Sequence, residues 1–370
     1  MAVVSAGLED VVAATTALSH VDGERGELII GGFPVGELAA QATFEETTWL
    51  LWHGALPSRR ELEAFQEELA AARALPGATV ALLRECAHSR IDAMDALRIA
   101  AGTISLPEAG TAQAIVARLP AIVAAYSRLR KGTEPVAPRT DLGHAANFLY
   151  MLNGHVPDEE RVRGLETYLN TVIDHGLNAS TFTARVIIST GSDLVSAVVG
   201  AIGALKGPLH GGAPGPALNM VFEIGEASRA EPILRARIER GDKLMGFGHR
   251  VYKVRDPRAD ILAAAAERLF TRAGDMSLYR LARDVESTAV RLLEEYKPGR
   301  RLQTNVEFYT ALLLHGLGLD VDLFTPTFAI GRVSGWIAHA LEQQRANRII
   351  RPQSAYAGPR HRTWVPVSQR

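Results

Sequence analysis

Segments with apolar residues at helical spacing follow one another along almost the whole of this chain, and several open on a cap. Thr43-Phe44-Glu45-Glu46, ahead of TTWLLWHG, is a capping-box pattern, and Ser58-Arg59-Arg60-Glu61 after Pro57 is another. That second helix closes near Pro76-Gly77. MDALRIAAGTI, TAQAIVARLPAIVAAYSRLRKG and LGHAANFLYMLNG continue the 3.6-residue period. Asp158 precedes a further helix, and ASTFTARVIIST and SDLVSAVVGAIGALKG are two more, the second capped by Ser192. Both are apolar nearly all round, which predicts deep burial. Strand signals are scarce. GELIIGGFPV (26–35) reads as a small hairpin turning at Gly31-Gly32. The pattern predicts an all-α fold with a small N-terminal β-hairpin, and no fixed-period repeat is present.

At 370 residues the chain is long for a single core and suits two domains. The glycine cluster at 207–215 is the expected break between them, and KGTEPVAPRTD (131–141) is the most linker-like stretch otherwise. A formal net charge of -1 gives no reason to expect a nucleic-acid or membrane-surface partner. The single cysteine, Cys86, excludes a disulfide framework or cysteine metal cluster within one chain. MAVVSAGLEDVVAATT lacks a basic start and is broken by Glu9 and Asp10, so no signal peptide is expected and a cytoplasmic location is. The longest apolar run, LVSAVVGAIGAL (194–205), falls short of the roughly 20 residues a membrane span needs.

Four stretches combine reactive side chains with unusual backbone. In DHGLNAST (174–181), His175 precedes Gly176, and Asn178 can cap the next helix; a cap beside a surface histidine is the plainer reading. In LKGPLHGGAPGPAL (205–218), His210 is wrapped by glycines and prolines. A helix expected to start near Ala213 would point its positive end at the imidazole and keep it neutral, able to donate a hydrogen bond to a carbonyl. The alternative is an interdomain loop with an incidental histidine. In MGFGHRVYKVRDPRAD (245–260), His249 follows Gly246-Phe247-Gly248 and precedes Arg250, Lys253, Arg255 and Arg258. No strand leads into it, so a dinucleotide site is not expected, but the cations suit an anionic ligand unless they form a solvated face. In LQTNVEFYTALLLHGLGL (302–319), the lone carboxylate Glu307 enters an apolar run. Such a group has a raised pKa and can serve as a general base, unless it is only a cap or an ion-pair partner. There is no HExxH and the histidines are widely spaced, so no metal is expected.

Taken in order, these blocks resemble the citrate synthase family over nearly the whole chain. VDGERGELIIGG, FEETTWLLWHGALP, HAANFLYMLNG, NASTFTA, LKGPLHGGA, GFGHRVYKVRDPRA, NVEFY, FAIGRVSGWIAHALEQ and RIIRP all look like family blocks at family spacing. The resemblance implies a homodimer of almost all-α subunits. A large domain would comprise 1–211 and 313–370, a small one 212–312, with the site in the cleft. It implies condensation of acetyl-CoA with oxaloacetate and hydrolysis of the citryl thioester, with no cofactor beyond the acyl-CoA co-substrate. By position, His210 resembles the stabiliser of the enol, His249 the group that polarises the ketone, and Glu307 the base. His175, Arg258 and Arg332 resemble oxaloacetate ligands, as does Arg351, donated across the dimer. Lys253 and Arg250, with Gly246 and Gly248, lie where the family binds CoA.

Several positions depart from the family pattern. Its base is aspartate, and here it is Glu307. Gly176 stands where glutamate is usual, Val172 replaces a histidine, Ala93 replaces histidine-proline, Pro214-Gly215 follows the glycines in place of Asn-Glu, and Gly31 replaces an arginine. These suggest a divergent member. Two other functions stay open at this level: 2-methylcitrate synthesis or condensation of another acyl-CoA with a 2-oxo acid, and a catalytically weak homologue kept for binding or assembly.

Overall fold

The computed structural model describes residues 5–8, 11–104, 110–211, 214–249 and 251–370. Among them are sixteen α-helices and one small sheet. Gly31 (φ 56°) and Gly32 (φ 90°) supply the left-handed backbone that turns β2 (Glu27–Ile30) into β3 (Phe33–Pro34). A strand not expected from the sequence, β1 (Ser19–Asp22), pairs antiparallel with β2, with Ser19 opposite Ile30. Its four residues carry no alternation that would mark it.

The helices form where the caps predict. Both capping boxes are complete: the Thr43 side chain accepts from the Glu46 N–H at the start of α2 (Phe44–His53), and Ser58 does the same for α3 (Arg59–Ala72). The remaining N-terminal helices are α1 (Val35–Gln41), α4 (Gly77–His88) and α5 (Ala93–Ala101). Next come α6 (Thr111–Arg130), α7 (His144–Asn153) and α8 (Glu159–Val172), the last capped by Asp158. The stretch 131–141 is a pinned loop, because the buried Arg73 donates to the carbonyls of Arg139 (2.6 Å) and Leu142 (2.8 Å).

Asn178 caps α9 (Ala179–Ser189). The cap of α10 (Leu194–Leu205) is Asp193 and not Ser192, its carboxylate accepting from the Ser196 N–H. A carboxylate at the cap also meets the positive end of the helix, which a hydroxyl does not. Deep burial on all sides does not hold for this pair either. α9 and α10 pack closely (a Cβ on Gly200 would sit 2.2 Å from Ile187 Cδ1), but Phe182, Val186, Val195 and Val199 stay half-buried on their outer side.

The centre of the molecule is α16 (Phe324–Arg345), which packs against α2, α6, α8, α9 and α10. Trp336 and Arg332 are wholly buried in it. Between α10 and α16 run α11 (Pro214–Ile224), α12 (Ala227–Glu239), α13 (Pro257–Ala273), α14 (Ser277–Tyr296) and α15 (Val306–Gly316). These five pack largely on one another, while α13 also rests on α1 and α8. The histidine loops and the start of α15 lie where this second group meets the first.

Candidate active site

His175 follows Asp174, a fully buried carboxylate in the turn before α9. Asp174 Oδ2 accepts from Ser19 Oγ (2.5 Å) and faces His339 Nε2 at 3.2 Å. His339 Nδ1 lies 3.0 Å from Arg185 Nη1, which can only donate, so the His339 proton sits on Nε2 and points at Asp174. Gly176, at φ 58°, donates its N–H to Ser19 Oγ (2.9 Å). Thus β1 and α16 fix the turn that presents His175. Burial, reinforced by Arg258 and Arg332, holds the His175 imidazole well below its usual range.

His210 Nε2 lies 3.3 Å from the N–H of Ser180 and 2.8 Å from Ser180 Oγ. A backbone N–H can only donate, so Nε2 accepts and the ring proton belongs on Nδ1, free for a ligand. The N-terminus of α9 therefore meets the imidazole, and the helix end expected near Ala213 falls on a residue outside those described. Burial and then Arg332 push the His210 pKa down to about 4.

Gly246 (φ 89°) and Gly248 (φ 83°) lace their loop to residues 303–305. The Gly248 N–H donates to Gln303 O (2.7 Å), and the Asn305 N–H to Gly246 O (3.0 Å). A Cβ at Gly246 would lie 2.9 Å from Phe308 Cβ. Both glycines thus have a backbone and packing reason to be there. The lacing sets His249, whose Nδ1 accepts from the N–H groups of Val251 (3.0 Å) and Tyr252 (3.1 Å). Its proton is therefore on Nε2. Burial, then Arg258, lower its pKa to about 4.

Asp256 caps α13 and clamps Arg258 from two sides, accepting from Nε (3.0 Å) and Nη2 (2.9 Å). The same carboxylate accepts from the N–H of Val306 (3.2 Å), so it ties α13 to the first turn of α15. There Asn305 caps the helix by accepting from the Glu307 N–H (3.0 Å). Among the described residues the Glu307 carboxylate has no hydrogen-bond or ion-pair partner. Burial raises its pKa to about 7, against the pull of Arg258 and Arg332. Arg332, 1% exposed, donates through Nε to Val172 O and lies over the Phe328 ring at 4.7 Å. It has no carboxylate in ion-pair contact among the described residues, and burial lowers its pKa to about 10. A buried cation in this state is matched to an anionic ligand.

His175, His210, His249, Arg258, Glu307 and Arg332 are therefore linked through shared partners and mutual charge. Arg351 is not joined to them: it is exposed on the segment after α16. Lys253 is exposed on the His249 loop, its N–H bonded to Gly23 O (2.9 Å), and Arg250 lies outside the described residues. Arg255 is taken up by Asp260 and Glu286, each at 2.6 Å. Sequence reading passed over Ser180, Tyr252, Asp256 and Tyr168. Asp256 could have been found as the cap before Pro257; the others carry no local signal.

The family model for the citrate synthase C-terminal domain matches residues 7–353. The chain is 44% identical to citrate synthase 2 of Bacillus subtilis, over 98% of both proteins. It is 40% identical to a 2-methylcitrate synthase of Mycobacterium tuberculosis, covering 96% of this chain and 91% of that one. Among solved structures, citrate synthase from Pyrobaculum aerophilum aligns with a TM-score of 0.89 at 40% identity, over 99% of this chain and 95% of that one.

 A further solved structure is the ternary complex of Thermoplasma acidophilum citrate synthase with carboxymethyl-CoA and oxaloacetate. It aligns with a TM-score of 0.91 at 30% identity, over 99% of both chains. Fold and relatives together define the class, an enzyme of the acyltransferase type. Within that class, the chain belongs to the citrate synthase family.

Proposed function

We propose that this protein condenses acetyl-CoA with oxaloacetate and hydrolyses the resulting citryl thioester to citrate and CoA. The observation that carries this reading is the unpaired Glu307 carboxylate, with its pKa near 7, beside two buried arginines. A thioester α-proton is very weakly acidic, so its removal needs a positioned base and a donor at the oxygen that gains charge. Glu307 takes the methyl proton, and His210 Nδ1–H holds the thioester oxygen of the enol. The enol carbon attacks the ketone carbon of oxaloacetate. His249 Nε2–H polarises that ketone, and its proton passes to the alkoxide as the carbon–carbon bond forms. Water then cleaves the thioester and releases CoA.

Arg258 and Arg332 hold the oxaloacetate carboxylates with His175, and Lys253, Arg250 and the Gly246–Gly248 loop take the CoA side. Residues 212–312 move as a small domain over 1–211 and 313–370. The protein works as a homodimer in the cytoplasm, with Arg351 reaching the partner's site. The half-buried apolar side of α9 and α10 supports that assembly. The relative named 2-methylcitrate synthase supports propionyl-CoA as a second acyl donor.

Glu307→Ala tests the assignment. CoA release should fall at least about 1,000-fold, while oxaloacetate binding, read by thermal shift, changes less than about 3-fold. Full activity in that variant would remove Glu307 from the role of base.

A further inference from the structure

Tyr252 is buried within the His249 loop and touches three of the groups assigned to the oxo acid. Its hydroxyl lies 3.1 Å from His175 Nε2. Its backbone N–H donates to His249 Nδ1 (3.1 Å), and the Arg258 guanidinium lies 5.7 Å from its ring centroid. Its ring centroid is 4.8 Å from that of His249 and 5.6 Å from that of His175. The hydroxyl contact joins a turn before α9 to a loop between α12 and α13, segments far apart in the chain.

We infer that Tyr252 is a positioning residue for the oxo-acid substrate, its hydroxyl holding the His175 imidazole in register with His249 and Arg258. This rests on the oxaloacetate reading above. Burial raises the Tyr252 phenol to about 12, so it keeps its proton throughout the working range and can pair with Nε2 in either tautomer of the imidazole. Ser19 and Asp174 fix the backbone on one side of His175, and Tyr252 fixes the ring on the other. Without the hydroxyl, the imidazole loses its only side-chain tether among the described residues.

Tyr252→Phe removes the hydroxyl and keeps the ring. The expected result is a KM for oxaloacetate raised about 10-fold, with kcat and the KM for acetyl-CoA changed less than about 3-fold. Oxaloacetate alone should also bind about 10-fold more weakly by thermal shift, which reads Tyr252 without turnover. In a His175→Ala background the same change should add nothing, because Tyr252 acts through that ring. An unchanged oxaloacetate affinity, or an equal loss in the His175→Ala background, overturns the inference. Absence of CoA release from the unaltered protein would instead overturn the reaction, leaving the binding comparison to decide on Tyr252.

Discussion

His175, His210 and His249 are all held neutral, by burial first and then by the arginines around them. For His210 and His249 a backbone N–H occupies one ring nitrogen, so the other carries the proton. Glu307 behaves in the opposite sense. Its folded pKa near 7 lies above the ordinary carboxylate value, so the fold prefers it protonated. The stability this contributes is present below about pH 4.5 and is lost as pH rises through about 7. Glu307→Gln should therefore raise Tm at pH 8 and leave it nearly unchanged at pH 4, as calorimetry can check. As the proposed base it must be ionised, so kcat/KM should fall about tenfold per pH unit below about 7. Tyr168 offers a second check. Its hydroxyl is fully buried and has no partner among the described residues. Tyr168→Phe should leave Tm unchanged or raise it, because it deletes an unsatisfied group. Glu307 and the histidines were legible in the sequence, since each stands out from its local setting. Tyr252 and Ser180 were not, since their roles come from contacts 77 and 30 residues away.

At the scale of elements, local rules read well where a side chain acts within its own turn. The boxes at Thr43 and Ser58 and the Asn178 cap are of this kind. The start of α10 shows the limit, because Ser192 and Asp193 are both good caps and only backbone geometry decides between them. Asp193→Ala should cost about 1 kcal/mol in chemical denaturation, and Ser192→Ala should cost almost nothing. β1 was illegible because its four residues carry no alternation and its contacts beyond β2 are distant: Ser19 serves the Asp174 turn, and Gly23, just past the strand, packs on the His249 loop. A Cβ at Gly23 would lie 2.2 Å from Val251 O, so Gly23→Ala must push that loop away. It should destabilise the protein by roughly 1–3 kcal/mol and weaken oxaloacetate binding.

For the whole molecule, the helical period predicts the fold class but not which helices meet. That α16 is the central element follows from the width of its buried surface, and its Arg332 puts at the centre a buried charge that the proposed oxaloacetate would meet. The outer apolar side of α9 and α10 and the exposed Arg351 belong to the proposed dimer. Sedimentation should give twice the 39.9 kDa chain mass. The most direct test of the proposed reaction is thiol release from acetyl-CoA with and without oxaloacetate, using the unaltered protein. Oxaloacetate-dependent release of CoA is the expected result. No release with either acetyl-CoA or propionyl-CoA would contradict the account.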